Sequence, residues 1–207
     1  MTAPQIVLHG TPRSGHAHRV ELLLLALGLP HQLQAAPVAV RRTDAFRALN
    51  ALQEVPVLVD GDLILADSNA ILVYLAKRYG EGTNWLPEEP VAAARVQRWL
   101  SSAAGEVMHG PATARLIVQF GIDDDIERAG RIAAKLLAFM DEHLATRVFL
   151  AADHPTIADL ACYSYVAHAP EGGVPLAPYA HLRAWIARIE ALPFFKAMPG
   201  APLSKAE

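Results

Sequence analysis

The stretch from Glu54 to Ile71, EVPVLVDGDLILADSNAI, constrains the fold of this chain more than any other part. Two apolar runs, Pro56-Val57-Leu58-Val59 and Leu63-Ile64-Leu65, flank Asp60-Gly61, a dipeptide that suits a tight hairpin turn. Ser68 then opens a helix predicted to run to Tyr79 and to stop at Gly80.

Upstream, Gln5 to His9 reads as a short buried strand and Gly10 to Ser14 as a turn. A helix over Gly15–Leu27 follows, with Val20, Leu23, Leu24 and Leu27 on one face and Gly28 and Pro30 as terminators. His31–Pro37 reads as a second strand and Asp44–Leu49 as a short helix. The order βα, β, α, ββα is that of a thioredoxin-like domain, predicted over 1–80. Residues 81–90, rich in Gly, Pro and acids, read as a linker. Residues 91–207 read as an all-helical domain, with helices over Val91 to about Gly110, Asp123–Leu144, from Thr156 onward, and over Ala180–Leu192. Thr156-Ile157-Ala158-Asp159 has the spacing of a helix-capping box.

Composition excludes several classes. With 19% charged and 53% hydrophobic residues the chain reads as soluble and globular rather than disordered. A net charge of -3, with no basic stripe beyond isolated pairs such as Arg41-Arg42, argues against a nucleic-acid partner. The longest apolar run, Leu22–Leu27, is too short to span a bilayer, and Met-Thr-Ala-Pro-Gln does not read as a secretory signal. Cys162 is the sole cysteine, so no internal disulfide can form; the expected location is the cytoplasm and the expected role of Cys162 a buried structural one. The nine histidines show no metal-ligand spacing, so no metal is expected.

The turn Gly10-Thr11-Pro12-Arg13-Ser14-Gly15 approaches a phosphate-binding loop, but His16 and Ala17 stand where Lys and a hydroxyl residue are required. Thr11-Pro12-Arg13-Ser14 also occupies the place of a redox Cys-x-x-Cys without either sulfur. A serine there can still hold the thiolate of another molecule. A thiol of pKa about 8.5 is ~3% ionised at pH 7, and lowering it by two units raises this to roughly three-quarters, for about 2.7 kcal/mol of anion stabilisation. One charge-assisted hydrogen bond of roughly 1.5–3 kcal/mol and a helix N-terminus of about 0.3–1 cover that sum. The same residues are equally consistent with Ser14 as a simple helix cap, Val55-Pro56 as a strand start and Asp67-Ser68 as a second cap.

Ser14 with Arg19-Val20 matches the S-x-x-x-x-[KR]-V pattern of serine-type bacterial members of the glutathione S-transferase superfamily, which the chain resembles over nearly its whole length. The resemblance implies that Ser14 is catalytic and donates a hydrogen bond to the sulfur of glutathione, the cosubstrate. It implies that Val55 and a cis Pro56 present backbone to the peptide, and that Asp67 and Ser68 bind its γ-glutamyl end. Thr11 and His16 are further expected glutathione-binding residues, although position alone reads His16 as a helix-surface histidine. Glu54 stands where Gln or Lys is usual and would repel the glycine carboxylate unless Arg41, Arg42 or an altered loop compensates. A second-substrate pocket for a small hydrophobic electrophile is implied at Trp99, Met108, His109, Thr113, Arg115 and Leu116, in a homodimer. The resemblance allows three readings: conjugation, glutathione-dependent peroxide or disulfide reduction, and a non-catalytic binding or scaffold protein.

Overall fold

The computed structural model describes residues 6–200. Gln5 and the outermost ends of the two predicted domains lie outside the described residues. The first unit contains β1 (Ile6–Gly10), α1 (Gly15–Ala26), β2 (His31–Ala35), α2 (Val38–Arg41), α3 (Asp44–Leu49), β3 (Val57–Asp60), β4 (Leu63–Ala66) and α4 (Ser68–Tyr79). Its sheet has the order β2-β1-β3-β4, with β1 parallel to β2 and antiparallel to β3, and β3 antiparallel to β4. This is the expected thioredoxin-like arrangement. The short α2 was not foreseen, because its Val-Ala-Val core after Pro37 carries no helical periodicity.

Register decides where the ends of these elements meet. His9 pairs with Val57, and Val57 pairs in turn with Ala66. The turn after β1, the residues before β3 and the residues after β4 therefore converge on one edge of the sheet. Helices α1 and α4 begin at that same edge, so two helix N-termini face one place.

The remaining helices are α5 (Pro90–Ala104), α6 (Thr113–Phe120), α7 (Ile126–Leu144), α8 (Ile157–Ala167) and α9 (Ala180–Glu190). The sequence reading runs one helix to Gly110 and starts the next at Asp123, and so passes over α6. The reason is Pro111, which cannot donate to an α-helical ladder; the chain passes it in a π-helical turn, Met108–Ala112, where the Thr113 hydroxyl donates to the Met108 carbonyl at 2.9 Å. Gly110 fits because a Cβ there would lie 2.8 Å from the backbone nitrogen of Ala133 in α7. A short 3-10 turn, Ala169–Gly172, also escaped the sequence reading.

One core joins the two units: Leu8, Val20, Leu24, Leu58 and Leu72 from the first are continuous with Leu100, Ala161, Val166 and Trp185 from the second. Ala36, Phe46 and Val57 form a small cluster under α3 on the opposite face of the sheet. At the heart of the helical unit Asp159 is fully buried and accepts from Leu150 N–H at 2.9 Å, Trp185 Nε1–H at 2.9 Å and Thr156 N–H at 2.9 Å. Burial pushes its pKa up and these donors pull it down. Asp159→Ala leaves three buried N–H groups without an acceptor, each worth about 1–3 kcal/mol. The expected loss is on the order of 3–5 kcal/mol, read as a lowered midpoint in denaturant unfolding, with the capping residue Thr156→Ala losing about 1.

Candidate active site

Ser14 occupies the N-cap of α1, and its Oγ accepts from Ala17 N–H at 3.2 Å. The capping role is thus real, and it leaves the hydroxyl proton uncommitted among the described residues. Thr11 closes the turn beneath it, its carbonyl accepting from Ser14 N–H at 3.0 Å. Gly15 is required where α1 begins, because a Cβ would lie 2.8 Å from the Tyr165 ring of α8.

The Val55–Pro56 bond is cis and Pro56 is buried. Asn50 ties the preceding loop, donating to the Glu54 carbonyl at 3.0 Å and accepting from Leu52 N–H at 3.1 Å, while Gln53 takes φ 57°. Among the described residues the N–H and C=O of Val55 make no hydrogen bond, which leaves a short edge of open backbone beside the Ser14 turn. Arg41 donates to the Gln53 carbonyl at 3.4 Å, so a half-buried cation stands next to the exposed Glu54, whereas Arg42 is exposed.

Asp67 caps α4 through its Oδ1, which accepts from Ala70 N–H at 2.8 Å, and it does so at φ 70°, ψ 121°, a backbone region costly for a residue with a Cβ. Ser68 is buried, 4% exposed, and its Oγ receives Arg19 Nη1–H at 3.3 Å and lies 3.3 Å from His16 Nδ1. Arg19 is 1% exposed; it also donates to Asn69 Oδ1 at 3.2 Å, and among the described residues its Nε and Nη2 make no hydrogen bond and no carboxylate forms an ion pair with it, Asp67 acting only through space. His16 is not a helix-surface residue: its ring packs edge-on against Tyr165 at 4.9 Å, and burial, reinforced by the Arg19 charge, pushes its pKa down to about 3. Sequence reasoning quoted Arg19 only as part of a pattern and assigned it no role, since spacing alone does not show a guanidinium turning inward.

Family models for the glutathione S-transferase N-terminal domain and C-terminal domain match residues 8–83 and 109–193. Glutathione S-transferase 3 of Zea mays is 32% identical over 95% of this chain and 94% of its own. The chain belongs to the glutathione S-transferase family. Human glutathione S-transferase theta-2B is 31% identical over 79% of the chain and 72% of its own. Among solved structures, a glutathione S-transferase from Pseudomonas fluorescens Pf-5 superposes with a TM-score of 0.87 at 32% identity, covering 93% of this chain and 98% of that one. A glutathione transferase homolog from Drosophila mojavensis with bound glutathione superposes with a TM-score of 0.83 at 27% identity, covering 92% and 89%.

The residues expected to line a second-substrate pocket separate into two groups in this transferase-family chain. Met108 and Leu116 are half-buried and His109 is exposed. Trp99, Thr113 and Arg115 are buried and bonded within the protein, a correction to the expectation. Trp99 donates from Nε1 to the Leu150 carbonyl at 2.9 Å, and Thr113 bonds Met108 as described above. Arg115 Nε pairs with Glu171 Oε2 at 2.6 Å inside the protein, and its Nη1 donates to the Arg13 carbonyl at 3.0 Å. Arg115 therefore holds the turn that carries Ser14.

Arg13 itself reaches across to α6, donating to Gln119 Oε1 at 3.1 Å and lying 4.7 Å from the centre of the Phe120 ring. Phe120 is 50% exposed. Arg13 and Phe120 thus border the open side of the Ser14 turn, and they were missed because α6 was missed. A cavity of about 300 Å³ adjoins Thr11 and Pro12 on the β2 side, walled by α1 and by residues 196–199.

His16 makes the folded state acid-sensitive. The unfolded chain takes up this proton near 6.5 and the folded chain only near 3, so the stabilisation is complete above 6.5 and is lost progressively as the pH falls toward 3. His18, held below its ordinary value mainly by burial, acts in the same direction. His16→Asn is expected to flatten the fall in unfolding midpoint between those two pH values relative to the unsubstituted chain, measured by denaturant titration at each pH.

Proposed function

We propose that this protein is a glutathione transferase that ionises the glutathione thiol at Ser14 and conjugates it to a small hydrophobic electrophile. In this reading 1–80 is the glutathione-binding unit, 81–90 a linker and 91–207 the unit that receives the electrophile. The single observation that carries it is the convergence on one sheet edge of an uncommitted Ser14 hydroxyl, the open backbone of Val55 and the buried Ser68.

Glutathione fits that edge in one direction. Its cysteinyl amide pairs with the N–H and C=O of Val55 as an added strand. Its γ-glutamyl carboxylate lies at the N-terminus of α4 against Ser68, with Asp67 beside the ammonium. Arg19 and the Nδ1–H tautomer of His16 both donate to Ser68 Oγ, which turns the Ser68 proton outward to the carboxylate. The sulfur then meets the Ser14 hydroxyl, which already accepts from Ala17 N–H and has one hydrogen to give. Attack by the thiolate forms the S–C bond, and the displaced electron pair leaves with the leaving group or, in an addition, remains on the electrophile until water protonates it. Phe120 and the stem of Arg13 offer an apolar rim, with Met108 and Leu116 further along the same segment.

Homodimerisation is part of the proposal. The face formed by α4 and α5 presents Val73, Tyr74, Leu100 and Ala104 around an open groove, which suits a second copy. A cytoplasmic location agrees with it, and no helix among the described residues is long and apolar enough to cross a membrane.

Calorimetric titration with glutathione, joined to thiolate absorbance against pH, tests the reading. The bound thiol should ionise about two units below its free value, and Ser14→Ala should abolish most of that shift. An unshifted thiol in the unsubstituted protein sinks the transferase chemistry, and no binding at millimolar glutathione leaves a family scaffold. Glu54 supplies a second test. It faces the place of the glycine carboxylate, with Arg41 as the compensating cation, so Glu54→Gln is expected to tighten glutathione by up to about fivefold, the scale of an exposed charge contact. No gain would remove Glu54 from the site.

A further inference from the structure

Away from the Ser14 edge, α5, the C-terminal end of α7 and the loop at Leu150 and Ala151 enclose a second cavity of about 260 Å³. Three arginines line it, Arg95, Arg98 and Arg147, together with His143, over a floor of Trp99 and Leu150; no acidic residue contributes to the lining. Arg95 and Arg98 stand three residues apart on α5 and so share a face. Arg98 lies 5.4 Å from the Trp99 ring and 5.1 Å from the Phe139 ring, which stack on each other at 5.7 Å, and this orients its guanidinium. Arg147 comes from the opposite wall, its Nη1 anchored on the His143 carbonyl at 3.1 Å and Thr146 Oγ1 at 3.3 Å.

None of the three has a carboxylate within 4.0 Å among the described residues, although the chain as a whole carries a net charge of -3. Glu89 senses Arg95, but both of its oxygens are committed to the N–H groups of Val91 and Ala92 at the start of α5. His143 Nε2 donates to the Leu150 carbonyl at 2.8 Å, and burial together with Arg147 and Arg98 holds its pKa down. Like charges have therefore been brought together around one recess, with Glu89 acting on Arg95 only through space and no carboxylate in the lining.

We propose that this recess binds a phosphate-bearing anion, independently of the glutathione site. The guanidinium groups approach from two walls, so a tetrahedral oxyanion, with acceptors in several directions, satisfies both, whereas a planar carboxylate meets one fork at a time. Trp99 is 2% exposed, so the cavity offers no stacking surface for a base, and recognition falls on the phosphate groups.

The test is calorimetric titration of the full chain with pyrophosphate, with malonate as the planar counterpart, at fixed ionic strength. Saturable one-to-one binding is expected for pyrophosphate, weakened about tenfold by Arg98→Gln and by Arg147→Gln, with Arg98→Lys between the unsubstituted chain and Arg98→Gln because it keeps the charge and loses the fork. Glutathione affinity should be unchanged in all three variants, which separates the failure of this site from failure of the transferase reading. Sedimentation of the same variants reports whether a second copy fills the recess. Absence of pyrophosphate binding, equal affinity for malonate, binding indifferent to both substitutions, or a changed oligomeric state with no change in pyrophosphate affinity would each overturn the proposal.

Discussion

The pairing of β1 with β3 and of β3 with β4 is the constraint on which the rest of the molecule depends. In antiparallel strands a slip of one residue turns every side chain to the other face. Here it would also carry Ser14, Val55 and Ser68 to different heights along the sheet. The register is held by burial on one side: Leu8 and Leu58 pair and both are covered by the continuous core. Because the core belongs to both units, the helices beyond the linker help to determine the geometry of an edge to which the first unit supplies the polar groups.

Charge buried without solvent is the second organising feature, and it takes three forms. Asp159 is surrounded by donors and serves packing. Arg115 is paired with Glu171, which in turn lies 2.6 Å from His168 Nδ1, and Arg115 Nη1 donates to the Arg13 carbonyl. A buried ion pair of this kind adds little net stability compared with apolar packing, but it is expensive to break and so fixes position. Arg19 differs, since its hydrogen-bond partners among the described residues, Ser68 and Asn69, are neutral and Asp67 acts on it only through space. A buried cation in that condition is destabilising by itself, and its location directly behind Ser68 gives it a use when an anion arrives in front.

Most of the sheet unit was legible in the sequence because its signals are local. Asp60-Gly61 between apolar runs and Ser68 before an amphipathic run each determine an element with few outside contributions. The capping box at Thr156 was legible for the same reason. The helical unit was less so around Gly110-Pro111, where a breaker normally ends a helix and here only widens it, with the Thr113 N–H and hydroxyl both reaching back to the Met108 carbonyl. The errors at the site share one cause. Trp99, Thr113 and Arg115 are polar or aromatic residues on helices next to a cleft, and sequence pattern does not say whether such a residue turns to the cleft or to the core. The same blindness hid Arg19, whose charge would ordinarily place it on the surface.

The two halves of the proposed reaction thus rest on different kinds of structure. Everything assigned to glutathione comes from backbone ends, caps and a buried polar cluster, whose positions follow from the sheet register and tolerate little change. Everything near the electrophile comes from α6 and the turn it covers: Phe120 is half in solvent, Arg13 is held by a single side-chain bond to Gln119, and Met108 lies in a widened helical turn. Substitutions there alter the shape of the rim without disturbing a strand pair or a cap, because the load of holding the turn falls on Arg115 one helical turn away. A fold divided in this manner can keep one cosubstrate while its partner changes, and the π-helical turn at Met108–Ala112 is the place where the length and tilt of that rim are set.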